Sequence, residues 1–178
     1  EVSVLQAAFP CRTQLHCTPF RSKMGNKKTR CFTAMISTRG RYALRVMIDL
    51  AEHADDGYIP MKEVAQRQGI SLKYLERIMP ALSKNNLVEG VHGKGGGYRL
   101  SRKPEDYTAG EILRLVEGSL APVACLECGA EPCSRQDTCK TIAMWKKFYD
   151  LVNGYFDHIT VADLVYGNLN TEDFQFLG

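Results

Sequence analysis

Residues 61–84 read MKEVAQRQGISLKYLERIMPALSK, and this stretch decides the fold. Met61 to Gln68 is predicted as a short helix burying Val64 and Ala65. Gly69 then supplies a turn, because glycine takes a left-handed backbone without steric penalty. Ser71 is placed to cap a second helix, its hydroxyl accepting from an orphan amide of the first turn. In that helix Leu72, Leu75, Ile78, Met79 and Leu82 recur at steps of three and four and form an inward stripe, leaving Lys73, Tyr74, Arg77 and Lys84 for other faces. Helix, tight glycine turn, helix is the arrangement that lays its second helix in a major groove. Pro80 falls inside the second helix, where it lacks an amide donor and crowds the carbonyl four residues earlier. A kink is therefore expected between Glu76 and Met79.

The flanking sequence completes a winged version of this unit. On the C-terminal side, Leu87 to Val91 and Gly97 to Leu100 pair as strands around His92-Gly-Lys-Gly-Gly96, where consecutive glycines allow positive φ and let backbone amides approach a phosphate. A nucleotide-binding P-loop does not fit, since Lys94 is not followed by Ser or Thr and the preceding glycine spacing is wrong. On the N-terminal side, Ser37 is a predicted N-cap for a helix with Ala43, Val46, Met47, Leu50, Ala51 and Ala54 on one face and Arg39, Arg41 and Arg45 off it. Asp55-Asp56-Gly57 ends that helix.

Beyond the wing, Thr108-Ala-Gly-Glu111 reads as a capping box opening a helix through Ile112, Leu113, Leu115 and Val116, which Gly118 can end. Further on, Ile142, Trp145, Tyr149, Val152, Phe156 and Ile159 repeat at alternating steps of three and four, an a/d seam over nearly three heptads. Phe148, Leu151 and Tyr155 widen that apolar surface. The reading is a long helix packed on a partner subunit, with burial against its own domain as the alternative. Thr160-Val-Ala-Asp163 caps a last short helix.

Charge divides the 178 residues unevenly around a net of +3. Positions 37–103 sum to +5 and positions 104–178 to −7, with residues 1–34 adding a further +5. A surface for a phosphate backbone therefore belongs to the first half of the folded part. Residues 1–34 lack apolar periodicity and are set aside, as a miscalled start ahead of Met35 or a basic arm or transit-like peptide, and the cysteines there are left out of any site. No run of eighteen apolar residues spans a membrane, and no signal h-region is seen, so a cytoplasmic protein is expected.

Between the two helical parts, Cys125, Cys128, Cys133 and Cys139 lie within fifteen residues. Without an export signal such spacing favours metal or redox chemistry over a disulfide framework. Thiolates suit iron-sulfur clusters and also zinc. The usual zinc knuckle has two Cys-x2-Cys pairs, and only Cys125-x2-Cys128 is of that type. Free thiols acting as a redox switch are a third reading. An enzyme is not expected: there is no nucleotide fingerprint or catalytic His/Ser/Asp grouping, and His53, His92 and His158 are scattered. A small electron-transfer protein lacks a second cluster motif to support it.

Several segments together resemble the IscR-like (Rrf2-type) winged helix-turn-helix regulators. They are Met35-Ile-Ser-Thr-Arg-Gly-Arg-Tyr-Ala-Leu-Arg45, Gln68-Gly-Ile-Ser-Leu-Lys-Tyr-Leu-Glu76, Gly93-Lys-Gly-Gly-Gly-Tyr98, Gly110-Glu-Ile-Leu113 and Ile159-Thr-Val-Ala-Asp-Leu164. The resemblance runs from Met35 to about Val165 and implies a mostly α fold with a small β-wing. Its parts would be a DNA-binding domain over 35–103, a connecting helix and loop over 104–124, a cluster loop over 125–139, a dimerisation helix with a short terminal helix over 140–166, and a tail over 167–178. It also implies a bacterial homodimer binding double-stranded DNA at palindromic operators, acting as a repressor. Ser71, Lys73, Tyr74 and Glu76 would meet bases or nearby phosphates, Arg39, Arg41 and Tyr42 phosphate, and His92, Lys94 and Gly95 a minor groove. Glu76 is acidic: it would accept from a cytosine amino group, repel wrong sites, or cap Arg77.

The same resemblance implies an iron-sulfur cluster, of two-iron form in the favoured reading and four-iron in the other, held by three cysteines and a fourth, different ligand. In one branch that ligand is a His three residues beyond the last cysteine, where this chain has Ile142. Cys125, Cys133 and Cys139 match the family cysteines. Cys128 is extra and stands as a candidate fourth ligand. Another branch has no cluster and leaves the thiol-switch and zinc readings open.

Overall fold

The Ser37 hydroxyl accepts from the amides of Arg39 and Gly40 and opens α1, Thr38–Glu52. The computed structural model describes residues 36–93, 95–131 and 133–169, so Met35, Lys94 and the readings placed on residues 1–34 lie outside it. After α1 come α2 (Met61–Gln68), α3 (Leu72–Lys84), the antiparallel hairpin β1 (Val88–Val91) and β2 (Gly97–Leu100), α4 (Ala109–Glu117), α5 (Ile142–His158) and α6 (Val161–Tyr166). The fold class is the one expected, mostly α with a two-stranded sheet.

The stripes meet in one core. Ala43, Val46, Met47 and Leu50 of α1 pack with Val64 of α2, with Leu75, Ile78, Met79 and Leu82 of α3, and with Ile112 and Val116 of α4. Burying each large side chain contributes about 1.5–3 kcal/mol, which is ample to overcome the modest helix propensity of such short segments. Tyr107 is fully buried in front of α4. Its hydroxyl accepts from the Arg102 amide at 2.7 Å and donates to the Leu87 carbonyl at 2.8 Å, which ties the wing to α4. The chain end is sewn to the same place: the Ala109 amide donates to the Ile159 carbonyl at 2.8 Å, and the Val161 amide to the Tyr107 carbonyl at 2.9 Å.

Several expected boundaries shift. Ala54 leaves the α1 stripe, since the helix ends at Glu52 and Ala54 begins an exposed 3₁₀ turn. Leu87 precedes β1 and is buried in the core instead of pairing in the strand. α3 continues past Pro80, which lies on its exposed face, to Lys84. Thr108 caps α4 by accepting from the Glu111 amide, but the reciprocal half of that box is missing because the Glu111 carboxylate pairs with Arg102 at 2.7 Å. The box at Thr160 and Asp163 is complete in both directions. Ile159 stands beyond the end of α5 and is buried in the protein's own core, which removes it from the seam, whereas Ile142, Trp145, Tyr149, Val152 and Phe156 are half-buried on the helix. Phe148 and Tyr155 are exposed, as is Met144. No helix among the described residues is long and apolar enough to cross a membrane.

Candidate nucleic-acid interface and metal centre

Gly69 closes α2 in the left-handed region, φ 61° and ψ 32°, and the chain turns at once into Ser71, whose hydroxyl accepts from the Tyr74 amide at 3.3 Å. The corner is fastened to α1 by Asp49, only 1% exposed. Its carboxylate accepts from Arg67 Nε at 3.1 Å, Arg67 Nη2 at 2.7 Å and Gln68 Nε2 at 2.9 Å. An unpaired buried carboxylate is expensive, and this bidentate pair with an added amide is the arrangement that offsets its desolvation. The hydrogen bond to Asp49, chiefly, raises the Arg67 guanidinium above its usual range. Arg45 adds a second fastening by donating to the Gln68 side chain at 3.1 Å and to the Gln68 carbonyl. Its guanidinium also lies 5.5 Å from the Tyr42 ring centroid.

This framework presents an exposed strip. Ser71, Lys73, Glu76 and Arg77 are exposed along α3, and Arg39 and Arg41 are exposed on α1. Tyr42 and Tyr74, expected to face DNA from different helices, are half-buried and packed edge to face with centroids 5.2 Å apart. Beside the strip the wing turns through Gly93 and Gly95, both at positive φ (109° and 81°), with His92 and Gly95 exposed. A Cβ on Gly97 would fall 2.3 Å from the Ile59 carbonyl oxygen. That glycine lets the segment before α2 bond to the wing, through the amide and carbonyl of Ile59 and those of Tyr98, each at 2.9 Å. Arg99 on β2 pairs with Glu89 at 2.9 Å and stacks over Tyr58 at 4.7 Å.

The cysteine segment leaves α4 through buried Leu120 and reaches α5. Cys125, Cys133 and Cys139 line one pocket of about 70 Å³ together with Leu126, Gln136, Ile142 and Lys146, and Cys128 is not part of that lining. Cys125 and Cys133 are exposed free thiols, and Cys139 is a half-buried one. Cys139 Sγ lies 3.4 Å from Thr141 Oγ1, and that hydroxyl, with the amides of Thr141 and Ile142, holds the thiol below its usual range. In this arrangement no group of three His, Cys, Asp or Glu side chains among the described residues is gathered closely enough to hold a metal ion.

Comparison with known proteins agrees with this geometry. The family model Rrf2, described as an iron-dependent transcriptional regulator, matches residues 36–167. The chain belongs to the Rrf2 family. Its relatives include the HTH-type transcriptional regulator IscR of Serratia proteamaculans, 37% identical over 130 residues that cover 73% of this chain and 78% of that one. The IscR of Pectobacterium atrosepticum is 36% identical over 142 residues, covering 79% and 85%. Among solved structures, CymR, the global cysteine regulator of B. subtilis, superposes with a TM-score of 0.61 at 37% identity over 74% of this chain and 96% of that one. T. potens IscR gives 0.59 at 34% identity over 75% and 87%. This Rrf2 protein is accordingly a DNA-binding transcription regulator and not an enzyme.

Within this Rrf2 chain, three of the four candidate cysteines line one pocket without converging on a single point, and Tyr42 packs on Tyr74. The sequence reading missed Asp49, Arg67 and Gln68. A carboxylate among Val46, Met47 and Leu50 was the available signal, because a charge inside an apolar stripe needs a partner. It also missed Gln136 and Lys146 in the pocket, for which spacing alone offers no signal.

Proposed function

We propose that this regulator reads palindromic operators as a homodimer and that an iron-sulfur cluster, in the two-iron form, sets its operator affinity, so that it acts as a cytoplasmic repressor. One observation carries the cluster: Cys125, Cys133 and Cys139 line the same small pocket at the start of α5. Soft thiolates are the donor set such clusters take, and a lowered Cys139 thiol is already inclined to the ligating form. The residues present therefore fit the group, with these three as ligands and a modest closure of the loop bringing them together. Ile142, which lines the pocket, offers no donor for the fourth position. Bound there, the cluster would supply a redox- and iron-responsive cross-link of the loop.

On the DNA side, Ser71, Lys73, Tyr74 and Glu76 address the major groove. Arg39, Arg41 and Tyr42 address phosphates, and His92, Lys94 and Gly95 the minor groove. The exposure of Arg39, Arg41, Lys73, His92 and Gly95 supports this assignment. Tyr74 acts chiefly through Tyr42, against which it packs. The exposed Phe148 and Tyr155, beside half-buried Trp145, Tyr149 and Val152, support α5 as the dimer surface.

The test is anaerobic purification and reconstitution with iron and sulfide, followed by visible absorption, metal analysis and operator titration. Cys125→Ser, Cys133→Ser and Cys139→Ser should each abolish iron and sulfide binding, whereas Cys128→Ser should keep both. A Cys128→Ser protein that lost the cluster would restore Cys128 as the fourth ligand. Equal operator affinity of loaded and cluster-free wild type would sink cluster control. The lowered Cys139 thiol also favours a second reading, a cluster-free thiol switch. That reading predicts peroxide-sensitive operator binding in protein that takes up no iron, and zinc uptake without iron would instead identify a structural site.

A further inference from the structure

The loop that holds the thiols and the helix that carries Arg39 and Arg41 are far apart in sequence, yet one side chain links them. Glu117 is the last residue of α4, directly before the segment that runs through Leu120 to Cys125. Its Oε1 accepts from the Ser37 amide at 2.9 Å, the Ser37 hydroxyl at 2.7 Å and the Gly40 amide at 3.1 Å. A carboxylate from one helix thus caps the N-terminus of another, 77 to 80 positions away, where the exposed amides and the helix dipole favour negative charge.

The approach is built for contact. A Cβ on Gly40 would sit 2.3 Å from Glu117 Oε1 and 3.1 Å from Leu113, so the bare position 40 is what leaves the Glu117 carboxylate its place on the cap. α4 is in turn latched to α5: Arg114 donates to Asn153 Oδ1 at 3.0 Å and to Asp157, and Gly110 leaves room for that aspartate. α5 begins three residues after Cys139. One end of the cysteine loop therefore leaves α4 directly behind Glu117, the other enters α5, whose far end is latched to α4, and α4 ends on the cap of α1.

We propose that Glu117 is the positioning residue that transmits the state of the cysteine loop to α1, and so to Arg39 and Arg41. Closing the thiols around a bound group pulls on the segment leaving α4, and Glu117, at its root, moves the α1 N-terminus with it. The proposal rests on cluster control of affinity, and the experiment separates the two. Operator affinity is measured for iron-sulfide-loaded and cluster-free protein in wild type, Glu117→Gln and Glu117→Ala, with iron and sulfide quantified on each sample.

Coupling between sites in regulators is commonly about 5–150-fold in affinity, and in Glu117→Ala the ratio of loaded to cluster-free affinity should fall below about threefold. Iron and sulfide content should be unchanged, with Glu117→Gln between Ala and wild type because its amide oxygen still accepts. A merely structural cap would weaken both states by the same factor, and that result, or a full wild-type ratio in Glu117→Ala, overturns the proposal while leaving cluster control standing. A wild type with equal affinities overturns both. Should Glu117→Ala fail to fold, amide exchange of wild-type residues 37–41 decides: protection that differs between loaded and cluster-free protein is expected, and identical protection refutes the link.

Discussion

Asp49 shows how one residue sets the orientation of the helix-turn-helix corner. Its side chain is only 1% exposed, whereas Arg67 keeps 30% of its side chain exposed, so the two partners are not equivalent. Arg67→Ala strands a buried charge with Gln68 alone and should cost about 3 kcal/mol, whereas Asp49→Ala frees an arginine that water can solvate and should cost less, about 1–2 kcal/mol. Denaturant midpoints of the two variants check the order, and an equal or reversed order would mean that Asp49 is not held mainly by Arg67. At this scale the sequence was half legible. The exposed Arg39, Arg41 and Lys73 follow from helical spacing, because an amphipathic pattern states which face is wet. The partners of Asp49 and Glu117 lie 18 and 80 residues away and exist only once helices have packed. No local pattern encodes them.

Among the elements, α4 and α6 carry the same cap motif with different outcomes. Thr160 and Asp163 exchange both hydrogen bonds, while at Thr108 the glutamate has been drawn off by Arg102 from outside the helix. Helix interiors were readable because their period survives any packing. Their caps were readable where the partner is local, as at Ser37, Ser71 and Thr160, and were not where competition for one carboxylate, or the backbone bond that buries Ile159, is decided by neighbours in space. The Asp163 carboxyl is held below its ordinary range, first by the Thr160 hydroxyl and then by the Thr160 amide. A depressed folded-state pKa stabilises fully above the unfolded value and loses that contribution as pH falls through the folded one. Asp163→Ala should therefore cost about 1 kcal/mol near neutrality, with the difference from wild type vanishing in acid. Thermal melts across pH would show it, and a pH-independent difference would argue against the charged cap.

For the whole molecule, the basic first half and acidic second half separate the winged helix-turn-helix, the proposed DNA-facing part, from the part that holds the thiols and α5. Salt dependence reports the first: operator affinity should fall steeply with ionic strength through counterion release, and the slope should shrink by about one unit on Arg41→Ala. A charge on α5 reports the second. Phe148→Glu should shift the protein to monomers by sedimentation with little loss of thermal stability, because Phe148 is already 39% exposed in the single chain. Unchanged mass would exclude α5 as the dimer surface.

The bonds between Ile59 and Tyr98, made possible at Gly97, have a consequence for the operator itself. The strand that bears the wing is stitched to the segment that launches α2, so, under the proposed DNA contacts, α3 and the wing are held at a set spacing like the jaws of a caliper. One inserted base pair displaces a groove contact by about 3.4 Å along the duplex axis. Jaws held at a set spacing follow that displacement poorly. Half-sites should therefore tolerate base changes far better than a single insertion between the positions touched by α3 and by the wing, and a library of operators with altered internal spacing would record the jaw width of the protein directly.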